Sequence, residues 1–333
     1  MHAVRVTEGP EYRCAADDTL LRAALRAGLG FPYECNTGAC GTCKTELLRG
    51  QVTCLRPDAP GLSDRDRARN RILACQSRPA TDCTIKVRLS EEYAPRHPPA
   101  RFTARLEGAR DLTHDLREFR FCTRGAPGFL PGQYAVFHLP GVDSPRTYSM
   151  SNLGEGGEWQ FVVKRVPGGA GTRALFEGVG LGSELTLDGP YGLAYLRTDS
   201  PRNIVCIAGG SGLAPILSIV RGAAREPALA ERAIQVFHGV RAVRDLCGER
   251  ELSELPGFGR RLSFQPVLSA PEADRAWAGP TGFVHEHVRR VLGDRLPDFD
   301  YYFAGPPPMA EAVQKMLAEK AVPRGQIHFD SFY

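Results

Sequence analysis

Four cysteines in the N-terminal part of the chain have the spacing of metal ligands. Cys35, Cys40 and Cys43 fall in one short loop, and Cys75 follows in a separate segment. A C-x4-C-x2-C loop with a distant fourth cysteine is the ligand spacing of [2Fe–2S] clusters, in which four thiolates hold two irons. The loop can supply three thiolates while Cys75 closes the cage from outside it. These residues therefore predict an iron–sulfur centre.

Zinc is the competing interpretation, because cysteine thiolates bind that metal as well. Zinc sites more often contain paired C-x2-C units or histidine, and no histidine occurs between His2 and His97. Gly38 and Gly41 would let the backbone approach a cluster closely and turn N–H groups toward its sulfur atoms. The sequence therefore favours a [2Fe–2S] cluster over zinc.

A second group of residues is suited to a planar redox cofactor that carries a pyrophosphate. Tyr148 could pack on the ring, Ser149 could lie near its reactive nitrogen, and Arg146 could pair with the phosphates. Residues 169–172 could offer backbone N–H groups at the start of a helix. The alternative is an ordinary strand with a surface arginine, followed by a polar turn.

A glycine-rich turn joins a predicted buried strand at 204–208 to a predicted helix at 214–224. The turn contains Gly209, Gly210, Ser211 and Gly212. Its glycines permit the close approach of a phosphate, although the spacing is not G-x-G-x-x-G and a generic strand–helix turn is the alternative. Gly305 and Pro306 follow another apolar strand, at the end where open α/β sheets bind ligands.

The elements that must position these residues form three predicted modules. Residues 1–90 contain alternating strands and a capped helix over 18–28, which is typical of a small α+β domain. The proline-containing stretch 91–100 is predicted to be a semi-extended linker. Short alternating strands over 101–198 indicate an all-β barrel. The alternation of strands and helices over 199–333 indicates a parallel α/β sheet.

Composition excludes several classes of protein. The 333 residues are 42% hydrophobic and 24% charged, which argues against a mainly disordered chain. The 42 basic and 38 acidic residues nearly balance, so nothing indicates nucleic-acid binding. No apolar run reaches the roughly 18 residues of a membrane span, and the first residues lack the apolar region of a signal peptide. We therefore expect a cytoplasmic protein in which the ten cysteines remain reduced.

The order of these motifs resembles the ferredoxin–NADP reductase superfamily, and specifically the single-chain reductases of bacterial oxygenases in the naphthalene dioxygenase reductase group. The resemblance covers essentially the whole chain. It implies a plant-type ferredoxin domain, an FAD-binding barrel and an NAD(P)-binding α/β domain. The implied activity passes electrons from NADH, with NADPH possible, through FAD to a [2Fe–2S] cluster. The implied partner is the terminal oxygenase of a Rieske-type aromatic ring-hydroxylating system or an intermediate ferredoxin, and the implied state is a monomer.

The resemblance also assigns roles to residues. Cys35, Cys40, Cys43 and Cys75 would hold the cluster; Arg146, Tyr148, Ser149, Lys164, Gly169 and Thr172 would bind FAD; Gly209, Gly210, Ser211, Gly212, Gly305 and Pro306 would bind the nicotinamide dinucleotide. Tyr148, Ser149 and Asp330 would lie at the reacting groups, and Phe332 or Tyr333 would cover the flavin ring. Many members have cysteine where this chain has Ala304, so no thiol contribution is expected there.

Three alternatives remain at this stage. The same architecture serves reductases of diiron monooxygenases and of deoxysugar pathways, and the motifs do not separate these. A non-enzymatic electron carrier is disfavoured by the glycine-rich α/β module. A membrane quinone reductase subunit is disfavoured because the sequence shows no N-terminal apolar anchor.

Overall fold

A computed structural model of the chain describes residues 1–270 and 277–332. The described residues form three units, each built on its own main sheet. The predicted order of α+β, all-β and parallel α/β modules is confirmed. No helix within the described ranges has the length and apolar character needed to cross a membrane.

The N-terminal unit is a mixed sheet packed against one helix. Its elements are β1 (His2–Val6), β2 (Glu11–Cys14), α1 (Leu20–Arg26), β3 (Lys44–Arg49), β4 (Val52–Cys54), α2 (Asp64–Arg67), β5 (Arg71–Leu73), β6 (Ser77–Pro79) and β7 (Cys83–Lys86). Five strands lie in the order β2-β1-β7-β3-β5, and β4 pairs with β6 separately. Helix α1 begins where the Thr19 hydroxyl accepts a hydrogen bond from the Arg22 amide at 3.3 Å. Its leucines, including Leu20 and Leu25, are fully buried in the core.

The second unit is an antiparallel sheet that closes almost into a barrel. Its elements are β8 (Ala100–Asp111), β9 (Leu116–Cys122), β10 (Tyr134–His138), β11 (Arg146–Ser149), β12 (Glu158–Lys164), α3 (Ala170–Glu177) and β13 (Glu184–Tyr191). The strand order is β11-β10-β13-β8-β9-β12. A bridge between Met150 and Phe161 brings the two edges of the sheet together. Aromatic side chains, including Trp159 and Phe137, fill its interior.

The third unit is a parallel sheet flanked by helices. Its elements are β14 (Asn203–Gly209), α4 (Leu213–Arg225), β15 (Ile234–Val240), α5 (Glu249–Ser253), β16 (Leu262–Leu268), α6 (Val284–Leu292), β17 (Phe299–Gly305), α7 (Pro307–Glu319) and β18 (Ile327–Ser331). The order β16-β15-β14-β17-β18 places β14 at the centre, and every pairing is parallel. Such a sheet presents the carboxyl ends of its strands at one edge, where loops can hold a ligand.

The stretch between the first two units is packed rather than free. Its start forms a short helical turn over Glu91–Tyr93, and the Ser90 amide donates to the Gly30 carbonyl oxygen at 2.9 Å. Tyr134 and Tyr191 of the second unit belong to the hydrophobic core of the N-terminal unit. The first two units therefore share a core, which the composition of the predicted linker did not indicate.

Candidate functional site

The four cysteines of the predicted cluster site come together in the N-terminal unit. Thiol hydrogen bonds join Cys35 to Cys40 and Cys43 to Cys75. Backbone N–H groups also point at the sulfurs, because the amides of Thr37 and Cys40 lie 3.5 and 3.4 Å from Cys35 Sγ. This geometry brings together the donor set of a [2Fe–2S] cluster.

The hydrogen bonds change the acidity of these thiols. The Cys40 thiol and the amides of Cys40 and Thr37 donate to Cys35, and together they hold the pKa of Cys35 below its ordinary value although burial opposes them. The Cys43 thiol lowers the pKa of Cys75 in the same way. The same hydrogen bonds raise the pKa of the donor thiols Cys40 and Cys43, so each pair of cysteines shares a proton that a bound metal would displace.

The backbone of the cysteine loop is folded tightly, as its glycines predict. Gly38 and Gly41 adopt positive φ angles of 84° and 78°, which favour glycine. A Cβ atom on Gly41 would lie 2.7 Å from the carbonyl oxygen of Gly61. Polar side-chain atoms of Asn36 and Thr37 are buried without a hydrogen-bond partner among the described residues. Among these atoms Asn36 Nδ2 is a donor, which fits a bound cluster because the sulfur atoms of a cluster accept hydrogen bonds.

Strand β11 carries the residues predicted to bind a flavin. The Tyr148 ring packs edge-on against Phe137 at 5.0 Å, and burial raises the pKa of the Tyr148 phenol to about 12. Ser149 is buried on the same strand. The Arg146 guanidinium is held by the Ser144 carbonyl oxygen at 2.7 Å and by the Ser144 hydroxyl at 2.6 Å. An aromatic face, a hydroxyl and a cation therefore follow one another along one strand.

Helix α3 begins beside Arg146. A Cβ atom on Gly171 would meet Arg146 Cγ at 2.8 Å, so only glycine lets the arginine side chain cross the first turn of α3. Gly169 is the N-cap residue, and the Thr172 hydroxyl donates back to the Gly169 carbonyl oxygen at 3.2 Å. A helix start with free N–H groups beside a guanidinium fits an anionic group such as a pyrophosphate.

A large cleft of about 1170 Å³ lies between the second and third units. Lys164 lines it from the second unit, with its ammonium 3.1 Å from Asp115 Oδ2. Gly209, Gly210 and Pro306 line it from the ends of β14 and β17. The cleft therefore joins residues that the sequence analysis assigned to two different cofactors.

Several glycines of the third unit lie at close contacts that any side chain would block. A Cβ atom on Gly212 would lie 1.9 Å from the Ala304 carbonyl oxygen, and one on Gly209 would lie 2.5 Å from Met309 Sδ. A Cβ atom on Gly305 would likewise meet Met309 Cε at 2.8 Å. Gly210 has a positive φ of 52°, and Ser211 lies in the short helical turn that leads into α4. The start of α4 therefore packs closely against the end of β17, at the edge of the sheet where open α/β folds bind ligands.

The C-terminal strand passes close to the cysteine loop. Asp330 pairs with Ala304 across the sheet, and its Oδ2 atom is buried without a hydrogen-bond partner among the described residues. Burial raises the pKa of Asp330 to about 7, and the charges of Glu34 and Cys35 act in the same direction. The Phe332 amide donates to the Gly305 carbonyl oxygen at 3.0 Å, which holds the chain end beside the predicted nicotinamide residues. Tyr333, the other predicted ring-covering residue, lies outside the described residues.

Sequence reasoning gave no role to the contacts between the first two units. Arg26 reaches Asp188 at 2.6 Å, and the Tyr134 hydroxyl donates to the Glu34 carbonyl oxygen at 2.5 Å. Both pairs join residues far apart in the chain. No local motif indicates such contacts.

The fold and the site define a redox protein with a cluster module, a flavin module and a nicotinamide module. Three family models cover these parts in turn: a 2Fe-2S iron-sulfur cluster binding domain over residues 5–80, an oxidoreductase FAD-binding domain over 103–195 and an oxidoreductase NAD-binding domain over 206–315. The chain belongs to the family of ferredoxin–NAD(P)+ reductases that serve oxygenase systems. It is an oxidoreductase that transfers electrons from NAD(P)H through FAD to a [2Fe–2S] cluster.

Similar proteins span the whole chain. The ferredoxin–NAD(P)+ reductase CarAd of Metapseudomonas resinovorans is 41% identical, with 100% of both chains covered. The ferredoxin–NAD+ reductase component of the alkene monooxygenase system of Xanthobacter autotrophicus is 40% identical, over 99% of this chain and 100% of its own. The solved ferredoxin reductase of carbazole 1,9a-dioxygenase superimposes with a TM-score of 0.92 at 38% identity, covering 100% of this chain and 98% of that one.

Proposed function

We propose that this chain is the NADH-oxidising reductase component of a Rieske-type aromatic ring-hydroxylating dioxygenase. The observation that carries the proposal is its likeness over the full length to a reductase of carbazole 1,9a-dioxygenase. A reductase of an anthranilate 1,2-dioxygenase from Acinetobacter baylyi is also 30% identical over 99% of this chain. The electrons then pass to the terminal oxygenase or to an intermediate ferredoxin.

A second candidate partner is a diiron monooxygenase. It is favoured by the 40% identity to a reductase of an alkene monooxygenase system, nearly equal to the identity with the first relative. The cluster, flavin and nucleotide residues proposed below serve either partner equally. The two candidates differ only in the protein that accepts electrons.

For the cluster, we propose Cys35, Cys40, Cys43 and Cys75 as ligands. Their contacts with one another and the amide donors to Cys35 support this assignment. Hydrogen bonds to a ligand sulfur favour the reduced, more negative state of a cluster. The amides of Thr37 and Cys40 therefore make it easier for the cluster to accept an electron.

For FAD, we propose binding along β11 and the start of α3. Tyr148 offers its ring face, Ser149 its hydroxyl, and Arg146 its cation beside the N–H groups of Gly169 to Thr172. Lys164 contributes a second cation from the cleft wall. When bound, FAD supplies the exchange between the electron pair of NADH and the single electrons that a cluster carries.

For the nicotinamide dinucleotide, we propose the cleft edge formed by β14 and β17. Gly209, Gly210, Ser211 and Gly212 would accommodate the phosphates, and Gly305 and Pro306 would lie beside the nicotinamide; the place of Gly209, Gly210 and Pro306 in the cleft lining supports the assignment. Asp330 would act as a polar group at the same strand ends, and Phe332, with Tyr333, would cover the flavin face that nicotinamide must reach. The Phe332 amide hydrogen bond to Gly305 supports that placement.

We further propose that the chain acts as a monomer in the cytoplasm. One chain already carries the residues proposed for the cluster, the flavin and the nucleotide, so no second copy is needed to complete a site. All ten cysteines are free, which suits a reducing compartment. The proposed domain boundaries are 1–90, 101–198 and 199–333, with 91–100 as the connection.

Reconstitution with purified partners tests the proposed partner class. The holoprotein, NADH and carbazole are combined with the ferredoxin and terminal oxygenase of a carbazole dioxygenase system, and in parallel an alkene is combined with the oxygenase of a diiron alkene monooxygenase. We expect NADH-dependent product with the first and not with the second. Product only with the diiron enzyme would replace the proposal by the second candidate. A Cys43→Ser variant in both mixtures controls for direct electron transfer from the flavin.

A further inference from the structure

The segment just before Cys35 is held by hydrogen bonds across the boundary between the first two units. The Tyr134 hydroxyl in β10 donates to the carbonyl oxygen of Glu34 at 2.5 Å. The Gly192 amide, after β13, donates to the Tyr33 hydroxyl at 3.0 Å. Two consecutive residues that precede the cysteine loop are therefore hydrogen-bonded to the second unit, one to β10 and one to the residue after β13.

Tyr134 also lies at the proposed flavin site. In the sheet it is the direct partner of Ser149 on β11, and on its other side it is the partner of Tyr191 on β13. Its side chain is 5% exposed, and its ring lies 6.1 Å from that of Tyr191. One residue thus spans from the strand proposed to hold FAD to the carbonyl group beside the first proposed cluster ligand.

We propose that Tyr134 is the positioning residue that sets the separation between flavin and cluster. The inference rests on the proposed function, because it takes Ser149 as a flavin residue and Cys35 as a ligand. The Glu34 carbonyl group is covalently joined to Cys35, so a hydrogen bond that fixes the carbonyl also restrains the Cys35 backbone that carries the sulfur. Electron transfer between two centres weakens steeply as the gap between them widens, so this contact controls the second electron-transfer step and leaves the first unchanged.

The hydrogen bond is effective because it is buried. Water cannot replace the phenol as a donor at a site with so little exposure, so the Glu34 carbonyl oxygen would lose this partner if the hydroxyl were removed. The Tyr134 ring would keep its packing, because phenylalanine has the same ring. Tyr134→Phe therefore removes the contact with little other change.

The chain offers a matched control in Tyr12. This residue is also 5% exposed, and its hydroxyl donates to the Leu20 carbonyl oxygen at 2.9 Å. Both partners of that bond lie within the N-terminal unit. Tyr12→Phe therefore deletes the same group from the same kind of bond, away from the boundary between the units.

The test follows NADH reduction of the anaerobic holoprotein by stopped flow, with flavin and cluster read at separate wavelengths. In Tyr134→Phe we expect flavin reduction at the wild-type rate and cluster reduction slowed severalfold, because electron transfer weakens steeply as the separation between the two centres grows. In Tyr12→Phe both rates stay at wild type. An unchanged cluster rate in Tyr134→Phe overturns the proposal, as does an equal slowing in the control.

Two further readouts do not depend on activity. Hydrogen–deuterium exchange of the segment that contains Tyr33, Glu34 and Cys35 should rise in Tyr134→Phe and not in the control. The electron paramagnetic resonance spectrum of the dithionite-reduced cluster should stay as in wild type, which shows that the ligands are intact. Unchanged exchange together with slowed electron transfer overturns the positioning role.

A second variant, on the other side of the boundary, tests the proposal even if the Tyr134→Phe protein is unstable. Tyr33→Phe removes the acceptor of the Gly192 amide, and the same slowing of cluster reduction is expected. Because both contacts hold one segment, the double variant should slow cluster reduction by less than the product of the single effects. If the double variant slows cluster reduction by the full product of the two single effects, the two contacts act independently, which contradicts a shared role. Failure of the proposed partner class is distinguishable, because it would change which oxygenase yields product and would leave these rates within the chain as expected.

Discussion

Arg26 in α1 and Asp188 in β13 form a buried ion pair between the first two units. Arg26 Nη2 lies 2.6 Å from Asp188 Oδ2, and the Asp188 side chain is fully buried. Arg26 Nη1 donates to Asp18 Oδ2 at 2.7 Å, and the Tyr191 hydroxyl donates to Asp188 Oδ1 at 2.8 Å. Buried charges that have ionic and hydrogen-bond partners therefore hold the N-terminal unit against the second unit.

Breaking this ion pair should destabilise the junction. Arg26→Gln leaves the Asp188 carboxylate buried with its closest cation removed, so we expect a loss of about 3 kcal/mol in the free energy of unfolding. Urea unfolding followed by the cluster absorbance measures it. Arg5→Gln is the control, because the Arg5–Glu11 pair is exposed and should cost less than about 1 kcal/mol. An equal loss of unfolding free energy in the two variants would show that the buried ion pair does not hold the N-terminal unit in place.

Acid should destabilise the fold through buried histidines. Burial lowers the pKa of His138, His238 and His328 to about 4, and repulsion from Arg197 adds to the effect at His328. Below the ordinary histidine pKa of about 6.5 the unfolded chain takes up protons that the folded chain does not. The stabilisation from the neutral rings is therefore complete above pH 6.5 and is lost as the pH falls toward 4.

His328 offers a direct test of this pH dependence. Its ring stacks on Tyr302 at 4.9 Å, so His328→Phe keeps the stacking and removes the titrating group. Urea unfolding followed by circular dichroism at pH 7 and pH 5 should show a smaller loss on acidification in the variant than in wild type. The same loss in both proteins would mean that His328 takes up no proton on unfolding in this range.

Coenzyme choice should depend on Arg241, which lines the cleft from the loop after β15. We expect wild type to prefer NADH with measurable use of NADPH, because the guanidinium can pair with a 2′-phosphate. Arg241→Ser should then lower kcat/KM for NADPH about tenfold, or about 1.4 kcal/mol, and leave NADH within about twofold. The exposed Arg250 serves as the control position with Arg250→Ser. A tenfold wild-type preference for NADPH would contradict this account.

The chain end should affect the use of NADH. Deleting Phe332 and Tyr333 removes the amide that donates to the Gly305 carbonyl oxygen. FAD should stay bound, while the Kd for NADH and the rate of flavin reduction change together, because the proposed ring cover and nicotinamide compete for one face. Stopped-flow flavin reduction by NADH measures both. If flavin is fully bound and neither the rate of flavin reduction nor the Kd for NADH changes, the last two residues have only a structural role at the edge of the sheet.

The parts of the site that the sequence indicated are local motifs. The cysteine loop, the Arg146 to Ser149 strand and the Gly209 to Gly212 turn each need only neighbouring residues to be recognised, because the chemistry of a ligand loop or a phosphate turn fixes residue types at short spacing. The alternating strands of the first two units and the apolar strands of the third were predictable for the same reason, since burial on one face leaves an alternating pattern and burial on both faces leaves an apolar run.

The parts that the sequence did not indicate depend on how whole units pack. Tyr134 meets Glu34, and Arg26 meets Asp188, only after two separately folded sheets have been brought together. A proline-containing connection predicts separate modules, whereas Tyr93 within that connection packs against the core of the first unit. The side of the cluster loop that faces the flavin module could not be predicted from any one segment.

The order of electron flow, from the flavin to the cluster, is tested most directly by Cys43→Ser. The variant should lose or damage the cluster and keep FAD, because the proposed flavin residues lie on β11 and α3. NADH-dependent reduction of ferricyanide should then survive, while reduction of cytochrome c falls steeply. Cys54→Ser, at an exposed cysteine of the same unit, should leave both activities unchanged. If both activities vanish in Cys43→Ser while the flavin is retained, electrons do not pass from the flavin to the cluster in this order.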